Sequence, residues 1–211
     1  TNQASKTYGL YVTNGATRIT NNTIHDLTSG GSANGSNYNN VSLTGILSGN
    51  TAIPQYVVNN TVYNLTSLTA SQVEIYGIFL NPSLTGNDTV ANNFIHGFRM
   101  LSESTTCYLH GLSMYSPGLT SSGTLLAFNN IVFLGDSITR GSNIFGVLKN
   151  TNKLFKLYHN TIHLGGTVSD GSSTTSFALR DRTDGTPNVR DIRNNIFYNT
   201  RSGGGSNYSL Y

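Results

Sequence analysis

The densest group of residues able to do chemistry stands near the end of the chain: Arg180, Asp181, Arg182, Asp184, Arg190, Asp191 and Arg193. Paired carboxylates are what glycosidic hydrolysis needs, one as acid and the other as base or nucleophile. Clustered Asp oxygens can instead hold a hard cation such as Ca²⁺. Asp181, Asp184, Asp191 and Arg193 are therefore the candidate catalytic set, and polysaccharide cleavage is the reaction they would serve. Against this, the acids fall within one short stretch, and only Asp170 lies near it in sequence. Alternating charges at an exposed turn usually make a solvated ion-pair network, with little contributed by each pair. The expectation is a non-catalytic chain, with the enzyme as the alternative.

Other reactive side chains are few. The single Cys107 excludes an intrachain disulfide and a Cys-based metal site. His25, His96 and His163 recur at a long period. If that period is a stack of strands, they stand roughly 9–10 Å apart, too far to share one ion. No metal and no cofactor are expected. Charged residues make up 10% of the chain, against roughly 25% in an average soluble protein. Asn, Ser, Thr and Gly take their place, which suits surfaces that meet sugars or other neutral polar partners. The net charge of +3 is too small and scattered for a nucleic-acid partner. No apolar stretch approaches the ~18 residues of a membrane span.

What positions these groups is a repeat. N-N-T-I-H from Asn21 returns as N-N-T-V-Y from Asn59, N-N-F-I-H from Asn92, N-N-I-V-F from Asn129, H-N-T-I-H from His159 and N-N-I-F-Y from Asn194. The second Asn of each (Asn22, Asn60, Asn93, Asn130, Asn160, Asn195) is 38, 33, 37, 30 and 35 residues from the next. Periods of this size mean a solenoid or another repeat array. Three residues before each anchor, and again two after it, stands an apolar residue. Period-two alternation makes these the inward positions of two short strands meeting at the Asn pair. Asn tolerates the left-handed backbone of such a bend, and stacked amides can bond as a ladder. A second phrase keeps the same period, with centres at Gly9, Gly45, Gly77, Gly111, Gly146 and Ala178. A small residue inside a strand implies close packing against it.

Three short strands per turn of roughly 35 residues is the pattern of an all-β, right-handed parallel β-helix of about six coils of 30–38 residues. The repeats resemble those of the pectin-lyase-like superfamily. The N-N-T-I-H phrase looks most like β-helix regions of large secreted or surface proteins of Bacteroidota-type bacteria. The resemblance implies export, through the type IX pathway, and a structural or adhesive role on the cell surface. Residues 1–211 then read as one β-helix domain, a piece of a longer protein whose open ends meet further coils or another chain. In exported proteins of that kind, Ser or Thr in an Asp-Ser/Thr-apolar tripeptide can carry O-glycans. The candidates are Thr89 (Asp88-Thr89-Val90) and Ser137 (Asp136-Ser137-Ile138).

Two further features could carry function. The position three after each anchor is always a flat ring: His25, Tyr63, His96, Phe133, His163, Tyr198. Alternation turns it outward, so a ring stack is expected along one face, as a sheet stabiliser or as a platform for sugars. The stretch Thr28–Ser42 is rich in Gly, Ser and Asn and is expected as an excursion loop.

Overall fold

The computed structural model describes residues 5–15, 17–32, 41–102, 104, 107–116, 121–182 and 190–211. Asp184 and most of the expected excursion loop lie outside the described residues. Every regular element among them is a strand, and all pairings are parallel. The strands coil into a β-solenoid of about five turns, close to the expected six coils.

Three sheets run along the solenoid axis. The long sheet stacks Thr7–Val12, Leu43–Ser48, Glu74–Leu80, Cys107–Ser116, Ser142–Thr151, Ser176–Asp181 and Asn207–Leu210. An incoming sheet of six strands leads to the Asn corner, from Thr17–Thr20 to Arg190–Arg193. An outgoing sheet of six leaves it, from Thr23–His25 to Ile196–Asn199. A fourth, short sheet joins Thr28–Ser29, Thr66–Ser67 and Arg99–Met100. A seventh long-sheet strand follows the six repeats read from the sequence. Gly203-Gly204-Gly205 is a turn that feeds Asn207–Leu210 back onto Ser176–Asp181.

The Asn pair divides its labour. The first member, or His159 in its place, holds φ between 52° and 60°, the left-handed bend itself. The second builds the ladder, each Nδ2 donating to the next Oδ1 at 2.9–3.0 Å from Asn22 through Asn195. Interior ladder amides are buried, which makes these bonds costly to lose.

The small residue of the second phrase has a specific neighbour. A Cβ on Gly9, Gly45, Gly77, Gly111 or Gly146 would stand 2.2–2.5 Å from a methyl of Ile24, Val62, Ile95, Val132 or Ile162. Those are the β-branched residues two positions past each anchor. Only the last coil has Ala178 there, and its outgoing residue is Phe197, which is not β-branched. The core is the file of Ile, Val and Leu from the three sheets, fully buried in the middle coils and partly buried at Ile24, Ile192 and Phe197.

Candidate functional site

The outgoing sheet carries the expected rings on its outer face. His25 stacks on Tyr63 with centroids 5.0 Å apart, and Tyr63 on His96 at 5.2 Å, with planes within 7° and 3°. That separation is close to the spacing of adjacent strands. Rings stacked along the axis cover each other's faces and turn only edges outward. Most of the row is therefore a cross-strand stabiliser, not a platform.

The row breaks at Phe133, which corrects the expectation of one continuous stack. Phe133 meets Phe94 edge-on at 6.0 Å and 88°, and His163 at 5.8 Å and 79°. Beyond it His163 stacks on Tyr198 at 5.0 Å. The cause is Phe94, two residues before His96 on the same face. It leans onto His96 at 4.4 Å and takes the ring surface that Phe133 would cover. Phe133 is left turned and 37% exposed.

A cleft of about 410 Å³ opens at this break, between Phe94, His96, Phe133, His163 and the Asp136-Ser137 turn. Burial pushes the His96 imidazole below its ordinary pKa, so it is neutral at pH 7 and offers one donor and one acceptor. His163 Nε2 lies 3.2 Å from Thr200 Oγ1. Asp136 and Ser137 are exposed. Their turn is pinned from two coils away by Arg201, 5% exposed, whose guanidinium donates to Gly135 O (3.2 Å), Gly165 O (3.1 Å) and Ile138 O (3.0 Å). Nothing in the sequence pattern pointed to Arg201.

The two candidate acids among the described residues, Asp181 and Asp191, are each held by basic or hydroxyl partners of their own. Asp181 lies 3.3 Å from Lys149 Nζ and accepts from Arg190 Nε at 2.5 Å. Lys149 is fully buried, in register with Leu80 and Met114. Asp191, on the incoming sheet, accepts from Tyr158 Oη at 2.6 Å and Arg193 Nε at 2.5 Å. The Tyr158 hydroxyl, then Arg193, hold its carboxyl below the usual range. Among the described residues no three His, Cys, Asp or Glu converge on a point that could hold an ion.

The two candidate glycosylation sites differ in access. Ser137 is exposed at its turn, whereas Thr89 is half-buried inside the incoming sheet. Asp88 beside it is fully buried, bonded to Lys153 Nζ at 2.6 Å and to the backbone N of Gln55 and of Ser83.

A second ring row lies on the outer face of the long sheet, and sequence reasoning missed it. Tyr76, His110, Phe145, Phe177 and Tyr208 stack in succession at 4.3, 4.8, 5.5 and 5.1 Å. The signal was present, since these residues precede the small centre of each coil. Tyr76, His110, Phe145 and Phe177 are only 3–4% exposed, so the faces of these rings are covered within the row. No family model, no curated protein and no solved structure matches the chain.

Proposed function

We propose that the chain is a non-catalytic β-solenoid segment of an exported or cell-surface protein, a rigid spacer that adheres to neutral glycans through the Phe133 cleft. The observation that carries this reading is the break in the outer ring row. A ring turned out of its stack exposes a face on which the C–H face of a pyranose can pack, and neighbouring polar groups can bond its hydroxyls. The neutral His96 imidazole, with His163, Asp136 and Ser137, supplies such groups around one cleft. The low charge and the sequence resemblance to exported β-helix regions support the location, and a ladder-stacked solenoid supplies the stiffness. End-on contact with further coils or another chain belongs to the same reading.

Binding of the whole chain to a panel of immobilised neutral glycans tests it. Phe133→Ala should abolish retention, whereas His25→Ala, inside the covered part of the row, should leave it intact. Retention by the Phe133→Ala protein equal to wild type overturns the reading. The absence of catalysis is tested on pectin, alginate and similar polysaccharides. New reducing or unsaturated ends that vanish in Asp181→Ala or Asp191→Ala would establish the enzyme instead.

A further inference from the structure

The long sheet carries a different cleft on its outer face, of about 370 Å³, and its polar groups are unusual. Glu74 and His110 line it and are 2% and 4% exposed. Glu74 Oε1 accepts from Tyr76 Oη at 2.5 Å and stands 3.5 Å from His110 Nε2. Glu74 Oε2 and both imidazole nitrogens make no hydrogen bond. Native proteins rarely bury such groups unsatisfied, so their presence in a cleft wall points to a ligand.

The other end of the cleft is cationic. Arg180 and Arg182 both line it, on the same face two residues apart. The Arg180 guanidinium lies over the rings of Phe177 (4.6 Å) and Phe145 (5.6 Å), and its Nε is buried without a partner. Burial, and then the neighbouring Arg182, hold Arg180 below its ordinary range. Asp181 points away from this cleft, to Lys149 and Arg190. Among the described residues Glu74 is the one carboxylate in the lining, and its strand lies three along the sheet from that of Arg180, roughly 14 Å away.

We infer that this cleft is a second binding site, for a tetrahedral oxyanion ester, phosphate or sulfate, carried on a hydroxyl-rich chain lying along the solenoid axis. A carboxylate is saturated by one guanidinium fork. Two forks with no acid beside them among the described residues suit an anion with three free oxygens. A hydroxyl both donates and accepts, so a sugar or polyol body satisfies Glu74 Oε2 and the His110 nitrogens whichever tautomer is present. A span of roughly 14 Å requires more than one sugar ring. The site shares no lining residue with the Phe133 cleft, so either can fail without the other.

Titration calorimetry with monophosphorylated maltotriose, monosulfated maltotriose, unmodified maltotriose and inorganic phosphate tests the inference. At least one ester should bind more tightly than both the bare sugar and the bare ion, and the better ester names the anion. Arg182→Ala, at an exposed position, should weaken it roughly tenfold or more. The titrations are run in the Phe133→Ala protein, which removes sugar binding at the other cleft; there the isosteric Glu74→Gln should weaken the ester and leave inorganic phosphate unchanged. The inference is overturned if neither ester binds, if unmodified maltotriose binds equally, or if Arg182→Ala binds like wild type. Equal binding of polyglutamate would also overturn it, as mere attraction of polyanions.

Discussion

Asn93→Ala should destabilise the solenoid several times more than Asn22→Ala, although both delete the same amide from the same corner. Asn93 is 2% exposed. Its Nδ2 donates to Asn130 Oδ1 and Val57 O, both at 2.9 Å, and its Oδ1 accepts from Asn60 N and Asn60 Nδ2, both at 3.0 Å. Truncation removes all four bonds and leaves the Asn60 backbone N–H without its acceptor in a dry interior. At about 1 kcal/mol net per bond, the expected loss is about 4 kcal/mol, out of the ~5–15 kcal/mol typical of a folded domain. Asn22 is half-exposed and donates to Thr20 O at 3.1 Å and Asn60 Oδ1 at 2.9 Å. Water replaces both, so about 1 kcal/mol or less is expected there. Coils couple mainly to their neighbours, so urea unfolding should be read beside amide exchange at Asn60 and Phe94, where local opening registers. Asn93→Asp sharpens the test. The carboxylate keeps the two accepted bonds but turns a lone pair on Asn130 Oδ1 and Val57 O, where protons stood. Its pKa should rise above the ordinary ~3.9, so the variant is most stable below that pH and loses stability as pH climbs through the raised value. Equal losses for the two Ala variants, or a wild-type-like Asn93→Asp at neutral pH, would refute the ladder argument.

The remaining expectations concern single positions. Gly111→Ala would set a Cβ 2.5 Å from Val132 Cγ1 and 2.7 Å from Gly146 O, and should cost about 1–3 kcal/mol in urea unfolding. Adding Val132→Ala should recover only part of this, because the Gly146 carbonyl cannot retreat from its strand; full recovery would contradict the packing described. Proton NMR of the His96 imidazole should give a midpoint below the ordinary ~6.5. Because burial lowers that pKa, the outgoing sheet is most stable above ~6.5 and weakens as pH falls through the folded value. A midpoint at or above the ordinary value refutes the burial argument. Peptide mapping of natively produced protein should place any O-glycan on Ser137 and none on Thr89; sugar on Thr89 of folded protein would mean that Asp88 is not buried as described.

What could be read in the sequence is whatever the stack turns into a period. Each anchor Asn touches the next anchor, so ladder, bend and core repeat together and one chain displays six trials of the same constraint. The pairing of Gly with a β-branched residue is of this kind, and the one coil that relaxes it, with Ala178 and Phe197, relaxes both members at once. The seventh long-sheet strand was harder to see. Tyr208-Ser209-Leu210 follows Phe177 by 31 residues, but Ser stands where the other coils have Gly or Ala. The candidate sites belong to the opposite category, because they arise where the period fails. Phe133 looks like any other ring of its row; only the lean of Phe94 in the neighbouring coil turns it outward. Arg180 and Arg182 look like members of a balanced charge cluster. Among the described residues no acid pairs with them, because strand alternation puts Asp181 on the other face with the buried Lys149, while Asp191 is taken by Tyr158 and Arg193. Arg201 and Lys153 reach two coils away, a distance no local pattern encodes. A solenoid built from near-identical coils offers a ligand the same surface at every step. Selectivity along its axis has to come from the coils that break the rule, and both clefts proposed for binding stand at such breaks.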